Sequence, residues 1–306
     1  MSVLVGPSRP HCRPFATQFD TVEVDSGQVR AIRVGSASPT KDTPSLSVRI
    51  YLLITGPFIP QTMTDAPENE VAGVEKLSPI RRRIGAHMVS SKATSPHVLT
   101  AMEVDYEAVE AARQTHRTDW KNTEGFSLTY LPFIVRAVVD ALADFPRINA
   151  SVNDIELVVH DEINLAVAVD LDFEGLVAPV IRRVDQMSLA EVARQIVEIA
   201  ERARARGLAP DDMAGGTFTI TNAGPFGTMF QFPIINQPQV AILSTDGISR
   251  KPAVITDADG NEAIGIRSLG VLALAWDHRA FDGAYAASFL GRIRNLIEMT
   301  DWESEF

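Results

Sequence analysis

A mixed β-sheet covered by helices on one side, α/β in its α+β form, is what this sequence predicts. Three observations carry the prediction. Strand-like runs follow one another with helices at intervals, rather than in strict β-α alternation with glycine-rich turns. The 306 residues are 45% apolar and 22% charged, enough apolar material for one large core or two ordinary ones. No internal repeat of fixed period and no low-complexity stretch interrupts the chain.

Residues 1–62 hold four acidic and six basic residues, a net of +2, so residues 63–306 carry −13. The first part has short alternating runs, such as Val22, Val24, Val29 and Ile32, between Gly, Ser and Pro, which predict weak strands or a tail. A polar stretch from Asp65 to Glu70 predicts a linker over 63–75, with the folded body at 76–306. An internal start at Met63 is an open alternative for the N-terminus.

Ser78-Pro79 supplies an N-cap with proline at the first helical position, and Ile80, Ile84 and Met88 recur at helical spacing up to Lys92. Further helices are expected over Tyr106 to Thr118 and Thr129 to Asp144, the latter stopped by Pro146. Strands are expected at Asn149–Asn153, Ile155–Val159, Ile163–Val169 and Leu176–Ile181. Ser188 and Glu191 form a capping-box pattern, opening a helix that Gly207 can close. Strands at Gly216–Thr221, Val240–Ser244, Ile248–Ile255 and Ile264–Trp276 precede a last helix, Ala284–Met299.

The overall charge of −11 would repel a nucleic-acid backbone or an anionic membrane, and neither is expected as a partner. No apolar stretch approaches the roughly 20 residues of a spanning helix. The one cysteine, Cys12, can form neither an internal disulfide nor the usual zinc site, which fits a cytoplasmic location and no metal. P-loop, Rossmann, zincin and nucleophile-elbow patterns are all missing from the sequence.

Two segments stand out. Trp276-Asp277-His278-Arg279-Ala280-Phe281-Asp282-Gly283 places a histidine at a strand end before the last helix. Read alone, Asp282 is equally a helix cap and His278 a satisfied surface side chain. Gly215 to Asn222 alternates Thr217, Thr219 and Thr221 with Phe218 and Ile220, a strand with one hydroxyl face, then continues into glycine-rich Gly224-Pro225-Phe226-Gly227. Alone, it is equally an ordinary half-exposed strand and loop.

Together with Pro96-His97 and Pro233-Ile-Ile-Asn-Gln-Pro-Gln-Val-Ala-Ile-Leu243, these segments stand in the order found in one family. From Lys76 to about Trp302 the chain resembles the catalytic domain of the dihydrolipoamide acyltransferase component of 2-oxo acid dehydrogenase complexes, within the chloramphenicol acetyltransferase-like superfamily. The resemblance implies that superfamily's coenzyme A-dependent acyltransferase fold, trimers or larger trimer-based cores, and active sites in channels between subunits. It implies His278 as the general base on a thiol, Thr221 as the oxyanion donor, and Asp282 as a steadying acid. Arg113 is the best match for the partner of Asp282, and Asn236 for a channel-lining residue. Coenzyme A would be a substrate, and a 2-oxo acid decarboxylase and a dihydrolipoamide dehydrogenase would be companion components. Of the five lysines, Lys41, Lys76, Lys92, Lys121 and Lys251, none sits in a lipoyl-type hairpin, so the lipoyl group is expected from a separate lipoyl-bearing protein.

The chemistry agrees independently. A thiol of pKa about 8.5 is largely protonated at neutral pH, so a placed imidazole is worth roughly 10² to 10⁴ in rate. Thioester exchange passes through an oxyanion, where one donor is worth about 10² to 10³. A non-catalytic scaffold subunit and a small-molecule O-acetyltransferase are the alternatives.

Overall fold

The computed structural model describes residues 73–257 and 259–306. The expected N-terminal strands, Cys12, Lys41 and the linker as far as residue 72 lie outside the described residues. The chain divides into Met1–Glu70 and Val71–Phe306, and the second unit is the one described.

Helix α1 (Pro79–Thr94) starts at Ser78, whose Oγ accepts from the Arg81 N–H at 3.2 Å. Its one buried residue is Ser91, whose hydroxyl donates to the Ile235 carbonyl at 2.6 Å. The Ile80, Ile84 and Met88 stripe therefore faces a cavity rather than the core. After β1 (His97–Asp105), α2 (Glu107–Glu124) runs well past the expected Thr118. Burying Trp120 rewards the extra turns, and Gly125, at φ 82°, closes them with its N–H on the Lys121 carbonyl. Helix α3 (Leu131–Asp144) is apolar on nearly every side because it runs through the core.

A small hairpin, β2 (Ala150–Asn153) with β3 (Glu156–Val159), precedes β4 (Leu165–Val167). The expected strand over Leu176–Ile181 is split: β5 (Val169–Asp170) pairs with β6 (Leu176–Val177), and β7 (Val180–Ile181) returns to β4. Helix α4 (Leu189–Arg204) has the full capping box between Ser188 and Glu191. Then come β8 (Phe218–Asn222), β9 (Ala241–Thr245), β10 (Ser249–Thr256), β11 (Glu262–Asp277) and α5 (Gly283–Met299).

The main sheet has seven strands, ordered β1-β11-β9-β8-β4-β7, with β10 also on β11. The pairs β8–β9 and β4–β8 are parallel and the rest antiparallel, so the expected mixed sheet is observed. Helices α2 to α5 cover one face, with α5 against β1 and α3 against both α4 and α5. Strand alternation sends Phe218 and Ile220 into this layer, where Phe218 meets Phe289 edge-on. Thr217, Thr219 and Thr221 take the opposite face, beside a separate small cluster of Ile235, Ile242 and Ala275. Among the described residues no helix is long and apolar enough to cross a membrane.

Candidate active site

His278 lies one residue beyond β11, in a tight turn that the Ala280 N–H closes on the Asp277 carbonyl at 3.0 Å. Its own N–H donates to the Pro96 carbonyl at 3.1 Å, tying the turn to the start of β1. The ring rests beside the buried Trp276, centroids 5.0 Å apart, and Trp276 is fixed by its Nε1–H on Thr100 Oγ1. The imidazole is 51% exposed and reaches toward Asp282, Nδ1 to Oδ1 3.8 Å. Asp282 occupies the N-cap position of α5 but makes no side-chain capping bond, and its carboxylate is 88% exposed.

Thr221 stands near the end of β8, on the wall of a cavity of about 660 Å³. Asn236 and Thr219 share that wall, with Ala166, Val180 and Ile242, and the α1 stripe lies across it. Arg83 and His87 of α1 are the ionisable side chains among the lining residues. A second cavity, of about 450 Å³, opens on the other side of the same strand ends. There Asn222, Thr245 and Asp246 meet Tyr130, Ile196 and Arg204 from the helix layer. The end of β8 thus has a cavity on each face.

The loop after Thr221 is pinned by Asp246, which is buried and accepts from Thr228 Oγ1 at 2.5 Å, Ser244 Oγ at 3.0 Å and the Gln231 N–H at 3.2 Å. Glycine is needed at 224 for the protein's own packing, since a Cβ there would lie 2.8 Å from the Asp246 carbonyl. His97 holds the Asn236 loop: its Nδ1–H donates to the Ser95 carbonyl at 2.8 Å, and its Nε2 accepts from the Ile235 N–H at 3.0 Å.

Of the predicted residues, the fold brings His278 to Asp282, and Thr221 to Asn236, but keeps the two pairs apart. Thr221 is opposite Ser244, and Ser244 opposite Ala273, four residues short of Asp277. At about 3.3 Å per residue and about 4.8 Å per strand, Thr221 and His278 are on the order of 20 Å apart within one chain. The expected Asp282–Arg113 pair is not formed within the chain. Arg113 is engaged by Glu110, one helical turn away, donates Nε–H to the Leu128 carbonyl at 3.1 Å, and lies over the Tyr130 ring at 4.2 Å.

The acid–arginine pair at the histidine is instead Asp277–Arg279. Burial pushes the Asp277 carboxyl up, but hydrogen bonds from Arg279 and Ser95 outweigh it and hold the carboxyl below its ordinary value. Gln237 in turn donates to the Ser95 hydroxyl oxygen. Opposite charges at i and i+2 around His278 were the available sequence signal for this pair.

Residues 69–303 match the model of the 2-oxoacid dehydrogenases acyltransferase catalytic domain. The chain belongs to this family. It is 41% identical over 233 residues to the dihydrolipoyllysine-residue acetyltransferase component of the pyruvate dehydrogenase complex of Mycobacterium bovis, covering 76% of this chain and 42% of that protein. The chain therefore spans less than half the length of that relative. A probable dihydrolipoamide acetyltransferase from Listeria monocytogenes has the same fold, with TM-score 0.70 and 36% identity, over 74% of this chain and 94% of that one. The cubic core of a pyruvate dehydrogenase multienzyme complex matches at TM-score 0.68 and 34% identity, over 78% of this chain and 98% of that one. These solved cores carry the expected mixed-sheet fold.

Proposed function

We propose that this acyltransferase-family chain moves an acyl group between a dihydrolipoyl thiol and coenzyme A, at sites completed by two copies of the chain. One observation carries the reading: His278 is half exposed, and a hydroxyl suited to an oxyanion lies beyond its reach in the same chain, on a cavity wall of its own. Bringing His278 of one copy to Thr221 of the next joins the two halves, and similarity to a cubic core favours a trimer-based assembly.

In this reading the imidazole takes the thiol proton as sulfur attacks the thioester carbonyl. The Thr221 hydroxyl donates to the oxyanion. On collapse the carbon–sulfur bond to the first carrier breaks, and the imidazolium returns its proton to the departing sulfur. Asp282 lies close enough to steady the imidazolium. Carriers would approach through the cavities flanking β8, where Arg83 and Arg204 offer positive charge for coenzyme A phosphates. The lipoyl group would come from a lipoyl-bearing protein, with the decarboxylase and dihydrolipoamide dehydrogenase as companions.

The test is turnover with acetyl-, succinyl- and branched acyl-coenzyme A, using dihydrolipoamide and small alcohols as acceptors, alongside native mass. Thiol-dependent turnover by a multimer supports the reading. A monomer, or turnover with alcohols alone, overturns it.

A further inference from the structure

Three side chains form a buried relay ending at the cavity. Gln239, 3% exposed, donates its Nε2–H to the Gly216 carbonyl at 2.9 Å, which turns its Oε1 toward Thr219. Thr219, 1% exposed, lies 2.5 Å from that oxygen, and a carbonyl cannot donate, so the threonine proton points at Gln239. The lone pairs of the same hydroxyl then accept from Asn236 Nδ2 at 3.2 Å. Each step fixes the next, so Asn236 turns its nitrogen inward. Its Oδ1 has no hydrogen-bond partner among the described residues, although the residue lines the cavity. Glycine at 216 keeps the relay in place: a Cβ there would lie 3.2 Å from Gln239 Nε2, from Ala166 Cβ and from Val180 Cγ2.

We infer that Asn236 Oδ1 accepts a hydrogen bond from an amide N–H of a thiol carrier's arm, with Thr219 and Gln239 as positioning residues that fix which end of the Asn236 amide the carrier meets. The inference rests on the acyl-transfer reading above. Lipoyl and pantetheine arms both carry amides, and a neutral acceptor in a largely apolar cavity suits such a donor better than a carboxylate or phosphate. A relay serving the sheet alone would end on backbone at both ends. This one begins on the Gly216 carbonyl and ends on a cavity-wall amide.

The test is kcat and KM for dihydrolipoamide, for dihydrolipoic acid, which has no amide, and for coenzyme A. Thr219→Val removes the relay hydroxyl, Thr219→Ser keeps it, and Asn236→Ala removes the acceptor together with the Nδ2 donor to Thr219, whose hydroxyl keeps its bond to Gln239. Thr219→Val and Asn236→Ala should each raise KM for one amide-bearing carrier about tenfold, with kcat within about threefold, and Thr219→Ser should stay near wild type. A rise for dihydrolipoamide but not for the acid assigns the lipoyl arm. A rise for coenzyme A with dihydrolipoamide unmoved assigns the pantetheine arm. Unchanged KM for both carriers in Asn236→Ala, or a uniform fall in kcat, overturns the inference and leaves the acyl-transfer reading standing. Wild-type protein that turns over neither carrier removes both.

Discussion

The Asp277 carboxylate grips the Arg279 guanidinium through two bonds, Nε to Oδ1 at 3.0 Å and Nη2 to Oδ2 at 2.6 Å, with His278 between them in the chain. The Arg279 N–H also donates to Asp277 Oδ1 at 2.9 Å, so side chain and backbone together shape the turn that carries the imidazole. Asp277 is 1% exposed and Arg279 about one-third exposed, so the carboxylate has little water to fall back on.

Asp277→Asn should therefore destabilise the protein by on the order of 2 kcal/mol, less than for a fully buried pair because Arg279 is partly solvated. The Asp277 carboxyl is held below its unfolded value, so its contribution is complete above that value and fades as pH falls through the lower folded value. Urea unfolding at neutral pH should separate wild type from variant, and the gap should close below about pH 4. An equal gap at both pH values would contradict the assignment.

His278→Ala should lower turnover about 10² to 10⁴ fold and leave native mass unchanged, because the side chain projects from an anchored turn and packs on one face only. Near-normal turnover would remove the base role.

Thr221→Val should cost about 10² to 10³ in kcat with little change in KM, since in the proposed reaction the hydroxyl acts only when negative charge develops. A change confined to KM would place the residue in ground-state binding instead.

If imidazole and hydroxyl of one site come from two copies, His278→Ala and Thr221→Val proteins unfolded and refolded together should recover activity that neither has alone. Random mixing restores about a quarter of the sites, those lying between complementary copies. No recovery in verified mixed assemblies would show that each chain works alone.

Arg113 is held by Glu110, Leu128 and Tyr130, so Arg113→Ala and Asp282→Asn should act independently. In a double-mutant cycle on kcat their effects should add within about 0.5 kcal/mol. A larger interaction would revive the pairing expected from the sequence.

Local signals were enough for much of the fold. Ser78-Pro79 and Ser188 with Glu191 marked their helix starts, because capping is a matter of a few adjacent residues. Alternation placed Thr217, Thr219 and Thr221 on one face of β8. It could not show that this face walls a cavity, since that depends on α1 and the Asn236 loop arriving from distant parts of the chain. The extension of α2 to Glu124 was hidden for the same reason: its reward is the burial of Trp120 against Phe126 and Phe306.

The sequence by itself determined the kinds of chemical group available, their order, and the local elements that carry them, because residue type, period and capping act over a turn or two of chain. Only the tertiary structure decided the partners: Asp277 with Arg279 rather than Asp282 with Arg113, Thr219 between Gln239 and Asn236, and His278 remote from Thr221. Hydrogen bonds and ion pairs form between groups that strand order and helix packing bring within about 3 Å, and spacing along the chain does not encode that separation.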